Sequence, residues 1–359
     1  MGSVCLAKEP IAAIGAVLGL LLVAIGATPA DAAKHSRATA GGPLLTAGSI
    51  DNVQWSENYR NSRLSPILFK AEVLLDRAGF SPGEIDASDG ENFQKAVRAY
   101  QQANKLGVSG KLDRPTWDSL VHSTDQPVTS TYTISASDEE GPFVQHIPQQ
   151  FDEMSKLKRL GYRSPEQLLA EKFHMSEAVL STLNKGVDFG REGTRIIVAG
   201  VEPMPLAGSL VKEDSRDGAG NPKAARVEVD KRGRAVRVFA RDGELLAFYP
   251  ASIGSAEKPA PSGNFAIKSV SLNPTYHYDP RYAFKGQKTQ QAVTVAPGPK
   301  NPVGLVWIDL SAKSYGIHGT PTPANVSKTE SHGCIRLTNW DALALAKLVK
   351  RGLPVEFVE

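Results

Sequence analysis

From Arg226 onward the chain changes period, and that change limits its fold more than any other feature. "RVEVD", "RAVRVFA" and "ELLAFYPAS" alternate or run apolar, separated by the turn formers Lys231-Arg232-Gly233 and Arg241-Asp242-Gly243. "GNFAIKSVS", "QAVTVAPG", "GLVWIDLS" and "YGIHGT" add strands, and "LPVEFV" closes the series. One helical pattern interrupts them, Asn339 to Lys350, with Leu343, Ala346, Leu348 and Val349 apolar. Short strands around a single helix predict a mainly β sandwich over 226–359.

Upstream the period is helical. Ile67, Ala71, Leu74, Leu75 and Ala78 share one helix face, and Gly79 offers a stop. Asp89 is placed to cap a second helix bearing Phe93, Val97 and Tyr100. Asp113 can cap a third, with Pro115 in its first turn and Trp117 and Leu120 inside. The stretch "ENFQKAVRAYQQANKLGVSGKLDRPTWDSL" resembles the three-helix peptidoglycan-binding-like domain, carried by Ala96-Val97, Tyr100-Gln101, Gly107-Val108, Gly110, Thr116-Trp117 and Leu120. We assign it residues 64–122. A generic helical bundle is the structural alternative.

Residues 130–201 read as strand, helix, helix, strand. "TYTISAS" and "GTRIIVAG" are the strands, Ser164 caps a helix bearing Leu168, Leu169 and Phe173, and Ser176 opens one with Val179, Leu180 and Leu183. That α+β order is similar to a LysM glycan-binding module. The departure is length: residues 136–163 intervene where LysM has a short connection. His174 and Met175, between the helices, read as packing or surface residues. Polar, small-residue stretches at 33–63 and 202–225 read as linkers, so the expected fold is multidomain.

With 359 residues there is room for two or three domains. Net charge is +3 and no Lys/Arg run interleaves with aromatics, which argues against nucleic acid as a partner. Ile11 to Gly26 is apolar or small, and Thr28-Pro29 and Ala30-Asp31-Ala32 follow as a small-x-small cleavage pattern. Residues 1–32 are therefore expected to be an export signal, leaving no stable membrane insertion after cleavage. A retained single-span anchor is the alternative, although the run is shorter than the roughly 20 residues a span needs. Either way the body is expected outside the cytoplasm, in the periplasm or cell wall.

Cleavage would remove Cys5 and leave Cys334 alone, in "SHGCIRL". A leftover cysteine in an oxidising compartment is a candidate reactive thiol; a small buried hydrophobe is the bland alternative. Two histidines bracket it: His332, and His318 at the end of a strand-like entry, 16 residues earlier. A nearby imidazole can take a thiol's proton. His318 is the candidate base, its ring oriented by a backbone carbonyl near Gly319. Gly333 allows a sharp turn before the nucleophile, so that N–H groups of His332, Gly333 and Cys334 can converge as an oxyanion hole. His318, His332 and Cys334 are also possible zinc ligands, but no CxxC or HExxH accompanies them; no metal and no cofactor is expected.

"IHGTP…SHGCIRL" followed by "TNWDA" resembles the signature of the L,D-transpeptidase (YkuD-type) catalytic domain. "YPASIG" with "PAPSGNFAI", and "VAPGPKNPVGLVWIDL", resemble two further segments of that family, with Ala260 and Ser262 departing mildly from its usual residues. The resemblance implies an acyl transfer on peptidoglycan stem peptides. Cys334 would be acylated and His318 would be the base, while Ser331, His332, Gly333 and Arg336 shape the pocket. Arg336 would hold a substrate carboxylate. The acceptor would be an amine of a neighbouring stem, a lipoprotein lysine, or water, the last making a carboxypeptidase. A non-catalytic wall-binding protein is the alternative from a different class. If the N-terminal modules act only as tethers, deleting residues 33–200 should harm activity on intact sacculi more than on soluble stems.

Overall fold

The structure, a computed structural model, describes residues 45–359 apart from 60–63, 140, 142, 211–213, 216–220, 222, 256–257, 283–285 and 332. The export signal expected over 1–32, the first part of the expected 33–63 linker and His332 thus lie outside the described residues. Among the described residues no helix is long and apolar enough to cross a membrane.

The helical region holds α1 (Ala47–Asp51), α2 (Pro66–Arg77), α3 (Glu91–Ala103) and α4 (Arg114–His122). The starts of α2 and α4 follow from local chemistry. Ser65 and Asp113 accept the N–H groups of Leu68 and Thr116, and a proline occupies the first turn of each helix. Asp89 does not cap α3; Gly90 does, without a side-chain bond, and Asp89 instead accepts from the Gln94 side chain at 3.2 Å. Residues 45–59 are not a free linker. Leu45, Ile50 and Tyr59 are buried, and the Asp51 carboxylate accepts the N–H groups of Val128 and Thr129 at 2.9 and 3.0 Å.

The middle region runs β1 (Thr129–Thr133), α5 (Ala136–Glu139), α6 (Phe151–Met154), α7 (Pro165–Lys172), α8 (Glu177–Leu183) and β2 (Arg195–Ala199). β1 and β2 pair antiparallel, Thr131 opposite Ile197, with α7 and α8 between them in sequence. Ser164 and Ser176 cap α7 and α8. Beyond β2, Met204 and Ala207 are buried in the core of the C-terminal region, so the stretch read as a linker at 202–225 is packed in part.

That C-terminal region starts at β3 (Asp214–Ser215) and continues through β4 (Ala224–Asp230), β5 (Ala235–Ala240), β6 (Leu245–Pro250), β7 (Ser252–Ile253), β8 (Gly263–Leu272), β9 (Tyr276–Tyr278), β10 (Val293–Val295), β11 (Val306–Leu310), β12 (Gly316–His318), β13 (Ile335–Arg336), α9 (Asn339–Leu348) and β14 (Pro354–Val358). The sheet order is β6-β5-β4-β14-β8-β11-β12-β13-β7, with β3 on β8 and β9–β10 as a separate hairpin. β8 is the hinge. Its first half pairs with β14, and its second half, from Ile267, pairs with β11. One core joins both halves to α9, from Val227, Val236 and Val238 on one side to Ile308, Ile317 and Ile335 on the other, with Leu345 and Val349 beneath. This is the expected β sandwich.

Candidate active site

Strand alternation places the site. Ile308, Ile317 and Ile335 point into the core, so their neighbours Trp307, His318, Cys334 and Arg336 face away from it. β12 pairs antiparallel with β11, Trp307 opposite His318, and parallel with β13, His318 opposite Arg336. Cys334 lies just before β13, two residues from the Arg336 that pairs with His318, and so on the same face as His318. All four line one cavity of about 530 Å³, within the size range of ligand pockets.

His318 is buried, stacked on Trp307 with ring centroids 5.6 Å apart. Its Nδ1 lies 2.6 Å from the Gly319 carbonyl. A carbonyl only accepts, so Nδ1 carries the proton and Nε2 keeps its lone pair. Burial, then the Arg336 charge, push its pKa down to about 3, against the pull of the Gly319 carbonyl. The ring is thus neutral at ordinary pH. Gly319 owes its identity to crowding, because a Cβ there would run into Asn339 Oδ1. Its N–H is bonded to the Val306 carbonyl at 3.2 Å, so it orients through its carbonyl and offers no oxyanion donor.

Cys334 Sγ faces the Ser314 carbonyl at 3.9 Å. Burial raises the thiol pKa, opposed by the Gly316 backbone and the charges of Lys258 and Arg336. Gly333 has φ +100°, and an added Cβ would lie 3.1 Å from Tyr315 and 3.2 Å from Lys258, so only glycine makes this turn. Ser331 closes the turn: its hydroxyl donates to the Cys334 carbonyl at 2.5 Å and its N–H to the Gly254 carbonyl at 3.0 Å. Arg336 is half-buried, and among the described residues no carboxylate is paired with it. The structure brings Cys334, His318, Ser331 and Arg336 together at this cavity.

Sequence reasoning missed several lining residues. Trp307 stood in a strand already recognised, and its register opposite His318 was the available signal. Lys258, Lys300, Phe151, Met154 and Tyr276 come from distant segments and gave none. Lys300 also belongs to a buried node. It contacts Glu171 of α7 and donates to the Pro321 carbonyl at 3.0 Å, while Asn339 donates to Glu171 at 3.2 Å and accepts from the Leu305 N–H at 3.0 Å. Among the described residues no group of three His, Cys, Asp or Glu could hold a metal ion.

The β sandwich thus presents to one pocket a thiol and a carbonyl-oriented imidazole, two groups that nucleophilic acyl transfer can use. Residues 224–357 match the L,D-transpeptidase catalytic domain of the YkuD family, and residues 70–120 match a putative peptidoglycan binding domain. The chain is 29% identical to the putative L,D-transpeptidase YkuD of Bacillus licheniformis over 52% of its own length and 89% of that relative. It is 31% identical to the probable L,D-transpeptidase YbiS of Escherichia coli K12, over 31% of the chain and 37% of the relative. Among solved structures, L,D-transpeptidase 1 of Mycobacterium tuberculosis is 25% identical, with TM-score 0.27, over 38% of this chain and 62% of that one.

Proposed function

We propose that this chain is a peptidoglycan L,D-transpeptidase acting outside the cytoplasm through a Cys334 thioester. The observation that carries the reading is the His318 ring, held by the Gly319 carbonyl so that Nε2 is its free base, on the face that bears Cys334. The donor is a stem peptide ending in D-alanine. Its carboxylate docks on Arg336 and offsets that charge, which after burial is the second cause holding His318 neutral, and so strengthens the base as substrate arrives. Nε2 takes the thiol proton, and sulfur attacks the carbonyl of the diamino acid at stem position three. N–H groups of Gly333 and Cys334, with His332, stabilise the oxyanion. The C–N bond to D-alanine breaks, and the leaving amine takes the proton from His318. An acceptor amine then gives its proton to His318 and attacks the thioester, releasing the thiol.

The pocket is compatible with a neighbouring stem or a lipoprotein lysine as acceptor, and with water when neither is bound. The 64–122 helical region and the LysM-like 130–201 segment would hold glycan. The test is D-alanine release from tetrapeptide stems, with mass spectrometry of the muropeptides formed. The wild type should release D-alanine, and Cys334→Ala should abolish release while still binding sacculi. Undiminished release by the variant would remove the nucleophile assignment. Dimers, lipoprotein adducts or trimmed stems would identify the acceptor.

A further inference from the structure

Residues 147–160 do not pack into the core of their own region. Phe151, Met154 and Leu160 form a separate cluster with Tyr278 of β9 and Val295 of β10. The Phe151 ring lies 4.6 Å from that of Tyr278 and 5.4 Å from that of Tyr276. Polar bonds run alongside. Gln150 donates to the Gly286 carbonyl at 3.0 Å and accepts from the Lys288 N–H at 2.7 Å. Gln287 answers in kind, donating to the Gln149 carbonyl at 2.7 Å and accepting from the Phe151 N–H at 3.1 Å. The Thr289 hydroxyl donates to the Asp152 carboxylate at 3.0 Å. Leu160 then bonds to both sides of the following loop, its N–H to the Pro297 carbonyl at 3.1 Å and its carbonyl to the Lys300 N–H at 3.0 Å.

This clasp also forms part of the pocket. Phe151 and Met154 line the cavity with Tyr276, while Lys258 and Arg336 line it with Cys334. The cavity therefore combines an aromatic, apolar wall with cations that accompany the thiol, and the wall is supplied by a different region of the chain. A donor held by its carboxylate on Arg336 has its leaving group committed to the cations. What remains for the apolar wall is the acyl side of the scissile bond.

Resting on the transpeptidase reading above, we infer that residues 147–160 are a specificity element of the catalytic pocket. Phe151 and Met154 bear on the alkyl side chain of the residue whose carbonyl Cys334 attacks. The wall selects donors with a long aliphatic side chain at that position, and the stitches from Gln150, Gln287 and Thr289 keep the β9–β10 hairpin against it.

The test uses the full chain and two tetrapeptide donors, one with the natural diamino acid at position three and one with alanine there. The wild type should prefer the long donor. Phe151→Ala and Met154→Ala should each lower kcat/KM for the long donor roughly 10-fold, as loss of apolar pocket contacts does. The loss should fall mainly in KM and leave the alanine donor little changed, so the preference collapses. Phe151→Leu should recover most of it, and alkylation of Cys334 by iodoacetamide should stay within about twofold of wild type if the nucleophile is undisturbed. Equal losses with both donors, or an unchanged preference, would overturn the inference while leaving the transpeptidase reading intact. No D-alanine release by the wild type from either donor would sink both.

Discussion

At Cys334 three influences favour the thiolate: the Gly316 backbone, Lys258 and Arg336. Burial opposes them and prevails, raising the thiol pKa. His318 is displaced the other way, to about 3, so no imidazolium stands ready to pair with sulfur. At rest the cavity holds a neutral thiol and a neutral imidazole, unlike the preformed ion pair of some cysteine enzymes. A pH profile separates the two. Alkylation of Cys334 by iodoacetamide should climb steadily with pH past the ordinary thiol range. It should show no plateau between about pH 5 and 8, the window an ion pair would occupy. Iodoacetate, an anion that Lys258 and Arg336 attract, should react faster than iodoacetamide by a larger factor than with a free thiol. A neutral-pH plateau would mean that sulfur and imidazole share the proton before substrate arrives.

At the scale of elements, α9 holds the site from below, and its first turn carries a titrating group. Thr338 caps the helix by accepting the Asp341 N–H at 3.1 Å. Burial, with Asp76 nearby, raises the Asp341 carboxyl to about 7, against the hydrogen bonds from Ser81 and Thr338 and the His174 charge. A carboxyl whose folded pKa exceeds its unfolded value stabilises the fold at low pH. That stability is lost as pH rises from about 4 through about 7. Asp341→Asn, which mimics the protonated form, should therefore have a higher Tm than wild type at about pH 8 and a similar Tm near pH 4. A variant less stable at both would show that the charge serves the helix terminus instead. The elements also divide by how far they could be read beforehand. β4 to β6, β8, β11, β12 and β14 are legible because each carries its own apolar pattern and turn. That His318 and Cys334 share one cavity is legible because they stand at the ends of two neighbouring strands. α6 is four residues long, too short for a period, and what fixes it is the β9–β10 hairpin more than a hundred residues away. The 136–163 stretch exceeds a LysM connection in length for that reason: its partners are the β9–β10 hairpin and the loop that follows it.

Across the whole molecule the regions share cores. Phe239, Leu245 and Phe248 of the catalytic sheet are buried in the same cluster as the α2, α3 and α8 side chains. The Phe248 backbone exchanges bonds of 2.9 Å with Gly79 and Ser81. His174 Nδ1 donates to the Asp76 carboxylate of α2 at 3.0 Å and its ring stacks on Trp340 of α9 at 5.2 Å, so all three regions meet at one ring. Removing the N-terminal regions would expose that apolar face, strip Glu171 from the buried Lys300 ammonium and remove the Phe151–Met154 wall. The shared cores therefore predict a different outcome from tethering. A chain truncated to residues 202–359 should lose activity on soluble stems as severely as on intact sacculi, and should unfold at lower urea than the full chain. The full chain should unfold in one transition, not region by region. Were the truncated chain as active as the full one on soluble stems, the shared cores would be dispensable for catalysis, and the N-terminal regions would act through effective concentration alone.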